Sequence, residues 1–157
     1  MATYLSPKSA IDAVLSGLRA LDSGPLQSVT AGGGVIYRKG PQRSVKLSGT
    51  ETAVIFVALA EMPEGEQSAG SGNNWRHEWD IKVLACVPDD GTEACEDLRL
   101  DIIDALLQFA HDNRDLAGAA RVVRVGKCRC LIGELFADDK QVYRMADITL
   151  TYKTLKS

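Results

Sequence analysis

Histidine is scarce in this chain, which has two among its 157 residues, and the scarcity bears on catalysis. A catalytic nucleophile needs a nearby base to take its proton, and histidine is the usual one. His77 lies among the inward-facing residues of a predicted strand, which is typical of a core or interface histidine. His111 lies in the last turn of a predicted helix, where histidine commonly pairs with the helix dipole. We therefore expect no catalytic residues and no enzyme.

The cysteines lack the spacing of a metal site. Cys128 and Cys130 place two thiols on one face of a strand, but zinc sites pair cysteines at longer spacing and need a second pair of ligands. Cys86 and Cys95 do not form such a pair. No secretion signal precedes them, and thiols stay reduced in the cytosol. We predict that all of these cysteines are unbridged and metal-free.

Two short segments resemble ligand-binding loops but lack the residues that such loops need. Residues 89–91 read Asp-Asp-Gly, without the alternating ligands and terminal Glu of a calcium loop, and indicate a turn that caps a helix. Residues 32–34 are three glycines without the Gly-Lys-Ser/Thr of a phosphate loop, so flexibility explains them better. We expect neither a cofactor nor a bound metal.

Charge and hydropathy exclude two further classes of protein. The formal net charge is -3, whereas a general nucleic-acid binder needs an excess of Lys and Arg to neutralise phosphates. The longest apolar run, residues 53–60, is far shorter than the roughly 20 residues that cross a bilayer. The first residues lack the positive segment and apolar stretch of a secretory signal. We therefore expect a protein with no membrane partner that stays in the compartment where it is made.

Helical periodicity predicts two amphipathic helices in a single domain over residues 1–157. The first begins at Ser6-Pro7 and runs from about Pro7 to Leu21, with apolar residues at helical spacing. The second begins at residues 90–93, which have capping-box spacing, and ends near His111. Its wide apolar stripe predicts packing across a sheet.

The other apolar segments have the composition or the two-residue period of strands. Residues 53–60 form a β-branched run that should be covered on both faces, and residues 75–87 alternate strictly. A one-residue bulge at Gly126 would reconcile the apolar parity of the following strand. Residues 61–74 offer little to bury and predict a mobile hairpin loop. The expected fold is α+β, with a mainly antiparallel sheet and a long β-hairpin packed against two amphipathic helices.

Charge of both signs indicates contacts between identical subunits. Residues 89–104 are acidic and residues 114–129 are basic, which suits head-to-tail association. The strand from residue 75 would extend roughly 43 Å at about 3.3 Å per residue, so part of it should project from the core. The predicted subunit interface consists of Trp75, Arg76, Glu78, Trp79, Asp80, Lys82, Arg124, Lys127 and Arg129.

The order of the predicted elements has a parallel among known proteins. An N-terminal helix and short strands precede a long hairpin whose second strand reads WRHEWDIKV over residues 75–83. A helix then leads to a C-terminal hairpin that ends in ADITLTY over residues 146–152. Over nearly the whole chain, this layout resembles the tail terminator, or tail completion, proteins of long-tailed bacteriophages. The family has no catalytic residues to carry over.

The resemblance implies a structural virion protein of the phage tail, assembled in the host cytoplasm. Such a protein forms a ring, typically of six subunits, that caps the tail tube, terminates its polymerisation and joins the tail to the head or neck. Its partners would be copies of itself, the tail tube protein and a neck or head-completion protein, with DNA only as cargo passing through the lumen. Two alternatives stay open. One is a related phage neck or tail-tube protein, and the other is a small intracellular ligand-binding α+β domain that uses the aromatic face near Trp75 and Trp79.

Overall fold

A computed structural model shows two helices and eight strands among the residues that it describes. The residues that it describes are 6–20, 34–40, 52–61, 66–67, 75–112, 115–116, 120–126, 128–134 and 140–156. In chain order the elements are α1 (Pro7–Ala20), β1 (Val35–Lys39), β2 (Ala53–Glu61), β3 (Glu66–Gln67), β4 (Trp75–Pro88), α2 (Glu93–Asp112), β5 (Asp115–Leu116), β6 (Ala120–Val125), β7 (Arg129–Glu134) and β8 (Val142–Lys156). Among these residues, no helix is long and apolar enough to cross a membrane.

The strands form one eight-stranded sheet with the order β1-β2-β4-β8-β6-β5. The short strand β3 pairs with β4, and β7 pairs with β8 on the edge that β6 also uses. The pair of β1 and β2 is parallel, and the other pairs are antiparallel. This arrangement confirms the predicted α+β fold with its mainly antiparallel sheet.

Both helices pack on the same side of the sheet and enclose the main core. The buried residues of α1 recur at helical spacing, from Ala10 and Ile11 to Leu18, and those of α2 include Ile102 and Phe109. They meet alternate residues of β2, β4 and β8 in one apolar cluster. Burial of each large aliphatic side chain stabilises the fold by roughly 1.5–3 kcal/mol, so this cluster is the main source of stability.

Gly17 allows α1 to approach α2 closely. A Cβ atom at this position would lie 2.5 Å from Cε2 of Phe109 and 2.9 Å from Cζ of the same ring. Real Cβ contacts this short do not occur, so a larger residue would push the ring or the helix away. Glycine in the middle of a helix lowers helix stability by about 1 kcal/mol relative to alanine. At this position the absence of a side chain permits the close contact between the helices.

A second apolar cluster lies on the opposite side of the sheet, which we call the outer face. It contains the buried residues Val54, Phe56, Cys86, Tyr143 and Met145. Because neighbouring residues of β2 belong to the two different clusters, this strand is buried on both faces. The prediction of a strand covered on both faces is therefore confirmed for residues 53–57, whereas Leu59, near the end of β2, is 38% exposed.

The bulge predicted at Gly126 agrees with the strand register. Between Val125, which is opposite Leu150, and Arg129, which is opposite Asp147, the chain has one residue more than β8. A second shift, which was not predicted, precedes it. The register of β6 against β8 shifts between Val122 and Arg124, before the glycine. Gly126 itself donates a backbone hydrogen bond of 2.7 Å to the carbonyl of Thr149, and a Cβ there would lie 3.0 Å from that oxygen. The change of parity predicted at the glycine is therefore confirmed for the step from β6 to β7, whereas the shift within β6 was missed.

The strands β2 and β4 form the predicted long hairpin, and the structure describes only part of the segment that joins them. Most of the loop predicted as mobile, residues 62–65 and 68–74, lies outside the described residues. Glu66–Gln67 form β3, which pairs with the first residues of β4. The 14 residues of β4 pair with β8 along their whole length, so the backbone of the outer part belongs to the sheet.

Candidate subunit interface

The charged residues predicted for the interface on β4 lie on the outer face. Lys82 is on the same side of β4 as Leu84 and Cys86, which belong to the outer cluster. Ile81 and Val83 belong to the main core on the other side. Asp80 has the same parity as Lys82, and the positions of Arg76 and Glu78 continue the row toward the start of the strand. Four predicted residues therefore occupy one side of one strand.

Two polar contacts join this row to β8. Lys82 Nζ lies 2.9 Å from Asp147 Oδ2, and the lysine side chain is 44% exposed whereas the aspartate side chain is 8% exposed. The buried hydroxyl of Thr151 donates a hydrogen bond of 2.7 Å to Asp80 Oδ1. A buried carboxylate is stable only with charged or hydrogen-bonding partners, and the ammonium of Lys82 is such a partner for Asp147.

The basic residues of β6 and β7 come to the same face from the other side of β8. Arg129 is the register partner of Asp147, and Arg124 is the register partner of Thr151. Arg129 is exposed, and Lys127 lies outside the described residues. The structure therefore brings the positions of Arg124 and Arg129 next to the polar row of β4, although these strands are far apart in sequence.

The two tryptophan positions do not belong to this face. Trp75 and Trp79 share the parity of Ile81 and Val83, and Trp79 is the register partner of Tyr152, a residue of the main core. Successive residues of a strand point to opposite sides. The predicted interface of nine residues therefore includes strand positions of both parities, and its role in subunit contacts stays a prediction.

Sequence analysis missed an exposed surface on α2. Leu100 is 51% exposed and Leu107 is 43% exposed. Leu107 was expected in the core-facing apolar stripe, and Leu100 was not assigned to either side. Asp97 and Asp104 are exposed at the helical spacing that places them on the same side. Positions 97, 100, 104 and 107 form a separate line from the core positions, and this spacing was the available signal. We call these four residues the acidic α2 patch.

A second exposed apolar surface lies on β7. Leu131 is 43% exposed, and Ile132 is exposed on the other side of the strand. Leu131 is the register partner of Met145, so it lies on the outer face beside Arg129. We call Arg129 and Leu131 the basic β7 patch. It extends toward Lys82, because both Arg129 and Lys82 neighbour Asp147.

A polar network fixes the start of α2 to the sheet. Arg99, which is buried, donates to Glu96 at 2.7 Å and to the backbone carbonyls of Leu131 and Met145 at 3.3 and 3.4 Å. Arg144 of β8 reaches the same Glu96 carboxylate at 2.9 Å. The hydrogen bond from Arg99, assisted by Arg144, lowers the pKa of Glu96. The network therefore holds α2 in a defined position above β7 and β8.

The turn before α2 combines two carboxylates and a thiol. The ligand atoms of Asp89, Asp90 and Cys95 lie within 4.8 Å of one another, which would allow a metal ion. Asp90 Oδ1, however, accepts hydrogen bonds from the Cys95 thiol at 2.8 Å and from the amide and hydroxyl of Thr92 at 3.0 and 2.6 Å. These bonds, the thiol's first, lower the pKa of Asp90 to about 2. The carboxylate is therefore occupied by hydrogen bonds that fix the turn before α2.

This geometry confirms the predicted turn and corrects its hydrogen bonding. Capping-box spacing had paired Asp90 with Glu93, but the Asp90 side chain bonds Thr92 instead. Gly91 has a φ of 80°, a left-handed conformation that glycine adopts without strain. The turn at Gly91 leaves Thr92 as the last residue before the helix, which begins at Glu93.

The four cysteines form no disulfide and differ in burial: Cys86 and Cys95 are buried, Cys128 is half-buried and Cys130 is exposed. Burial raises the pKa of Cys86 to about 12. Burial also raises the pKa of Cys128, and the neighbouring thiol of Cys130 adds to this effect. The thiolate is the form that binds metals and attacks electrophiles, so these shifts disfavour both roles at neutral pH. The four cysteines are free in the structure, and their metal-free state remains a prediction.

The chain matches no protein-family model and no curated protein. The inference of function therefore depends on the arrangement of the chain's own surfaces. The main features are the polar row on the outer face, the basic β7 patch beside it and the acidic α2 patch on the helical side. Such surfaces are suited to contacts with other protein subunits.

Proposed function

We propose that this protein is a structural component of a phage tail. Its subunits assemble into a closed ring, of about six copies by analogy with the resembled family, which caps the tail tube and stops its polymerisation. The ring joins the tail to the neck or head, and DNA passes through its lumen. Its partners are other copies of the chain, the tail tube protein and a neck or head-completion protein, and it performs no catalysis.

The observation that carries this proposal is the presence of exposed leucines with charges of opposite sign on the two sides of the sheet. The acidic α2 patch lies on the helical side, and the basic β7 patch lies on the outer face. A subunit with complementary surfaces on different sides can contact two neighbours at once. Exposed leucines beside charges are also typical of protein contact surfaces.

The order of elements gives further support. An N-terminal helix, a long hairpin built from β2 and β4, a second helix and a C-terminal antiparallel pair follow one another as in the resembled layout. A neck or tail-tube protein would share this layout. The ligand-binding alternative depended on an aromatic face near Trp75 and Trp79, but both positions have the parity of core residues. No observation favours that alternative.

Native mass spectrometry and electron microscopy of the purified chain test the proposal. We expect a single closed oligomer with a central opening and no growth into longer particles. A chain that stacks into tubes without a partner would be a tail-tube protein instead. A strictly monomeric mass over the whole accessible concentration range would contradict the proposal.

A further inference from the structure

From the two exposed patches we infer that the ring contact joins the acidic α2 patch of one subunit to the basic β7 patch of a second copy of this chain. This inference rests on the proposed ring and adds the surfaces that meet in it. The acidic α2 patch comprises Asp97, Leu100, Asp104 and Leu107, and the basic β7 patch comprises Arg129 and Leu131.

The acidic α2 patch has a consistent negative charge. Its two aspartates are exposed, and the neighbouring positions on the outside of the helix, Glu93 and Asp101, are also exposed and acidic. The one arginine of α2, Arg99, is buried and bound to Glu96 and to carbonyls of the sheet. It therefore contributes little positive charge to the surface that carries the leucines.

The basic β7 patch has a net positive charge. Arg129 and Lys82 both neighbour Asp147, so two cations surround one carboxylate. Asp147 is buried within the ion pair, whereas Arg129 is exposed. Leu131 projects on the same side of β7 as Arg129, two residues further along the strand. This patch therefore offers an apolar side chain and a cation to an incoming surface.

The two patches lie on opposite sides of the sheet, so they cannot meet within one molecule. The helices pack against the face formed by Ile81, Val83 and their neighbours, and the basic β7 patch belongs to the other face. Contact of either patch with its own copy in a two-fold dimer would bring like charges together, which is unfavourable. Contact between the unlike patches of successive copies pairs opposite charges and leucine with leucine. Repeated head-to-tail contact of this kind closes into a ring when the rotation permits.

Charge-swapped variants test this contact. Asp104→Lys makes the α2 patch positive, and Arg129→Glu makes the β7 patch negative. We expect each variant alone to associate at least about tenfold more weakly than the unmodified chain, because like charges then face each other. The double variant Asp104→Lys/Arg129→Glu restores opposite charges, and its association should return to within about threefold of the unmodified value. An equimolar mixture of the two single variants should also associate, in alternating order.

Two matched controls carry the same charge changes elsewhere. Lys8→Glu changes an exposed lysine of α1, and Asp112→Lys changes an exposed aspartate on another side of α2. Both should associate like the unmodified chain, as measured by analytical ultracentrifugation at a fixed salt concentration. Circular dichroism of every variant checks that the fold is retained. Because Arg129 is the register partner of the buried Asp147, Arg129→Gln is the second variant at this position: it removes the cation without adding a carboxylate and should also weaken association. Unchanged association of a folded Arg129→Gln and a folded Asp104→Lys would overturn the assigned contact.

The outcomes separate this inference from the proposed function. A monomeric unmodified chain would overturn both. A ring that survives each single reversal would overturn the assigned contact and leave the ring proposal intact. The assigned contact would also be overturned if the single variants lose association and neither the double variant nor the mixture restores it. Equal loss of association in the control variants would overturn it as well.

Discussion

Lys82 and Asp147 form an ion pair whose two members differ in burial, so their removal should have unequal effects. The lysine side chain is 44% exposed and the aspartate side chain is 8% exposed. In Lys82→Met, the carboxylate stays buried and loses its ammonium partner. The cost of an uncompensated buried charge is about 1–3 kcal/mol of unfolding free energy, and Arg129, the register partner of Asp147, should keep it toward the lower end.

In Asp147→Asn, by contrast, the half-exposed lysine can turn toward solvent and the amide keeps the shape of the carboxylate. We expect a loss of less than about 1 kcal/mol, as for other pairs with an exposed member. The double variant should lose less than Lys82→Met alone, because the uncompensated charge is then absent. The double-mutant cycle should give a coupling energy of about 1–2 kcal/mol.

Urea denaturation at neutral pH measures these differences, provided that the slope of the unfolding free energy against urea is unchanged. Lys8→Met, at an exposed position of α1, is the matched control and should change stability by less than about 0.5 kcal/mol. Equal losses in the two single variants, or a coupling energy near zero, would refute the argument from unequal burial.

Three further predictions concern the packing of the helices, the turn before α2 and the cysteines. Gly17→Ala should destabilise the fold by about 1–2 kcal/mol in thermal melts, because the cost of overpacking against Phe109 exceeds the gain in helix propensity. The control Ser16→Ala, at an exposed position of α1, should be neutral or stabilising. Glu96 and Asp90 have lowered pKa values, so the ionised carboxylates stabilise the fold above about pH 4.5, and this stabilisation is lost as the pH falls through the folded pKa values. Glu96→Gln should therefore make the free energy of unfolding less dependent on acid pH. Urea denaturation at several pH values measures this, and an unchanged profile would contradict the prediction. Mass spectrometry and a zinc assay should find the four cysteines unbridged and without stoichiometric metal.

Elements with strong local signals could be predicted from the sequence. The first helix was expected from about Pro7 to Leu21 and spans Pro7–Ala20. The alternating strand was expected over residues 75–87 and spans Trp75–Pro88. The helix is indicated by a proline at its first position, and the strand is indicated by a strict two-residue period. Both signals come from residues that are close together in the sequence.

Features that depend on distant residues could not be predicted. The parallel pairing of β1 with β2 leaves no local signature in either strand. The contacts of Arg144 with Asp89 and Glu96 join residues from separate parts of the chain. The exposure of Leu107 depends on how α2 is rotated above the sheet, and helical periodicity alone does not determine that rotation when the apolar stripe is wide.

For the candidate interface, the sequence supplied the residue types and the structure supplied the faces. Alternation along β4 already separated the position of Trp79 from those of Asp80 and Lys82, and the register of β4 against β8 agrees with that alternation. The approach of Arg129 to Lys82 was not accessible, because it requires β8 to lie between β4 and β7. Long-range strand pairing thus determines the charge pattern of the outer face.

In the proposed ring, the angle between the two patches of one subunit determines whether head-to-tail contacts close. That angle is the same in every subunit only if α2 is held in one position relative to β7 and β8. The buried Arg99 bonds the carbonyls of both strands and the carboxylate of Glu96, which Arg144 of β8 also contacts. Charge-assisted bonds of this kind are stronger and more directional than apolar contacts, which permit sliding. If the proposed ring forms through α2 and β7, this network sets the geometry that successive subunits repeat.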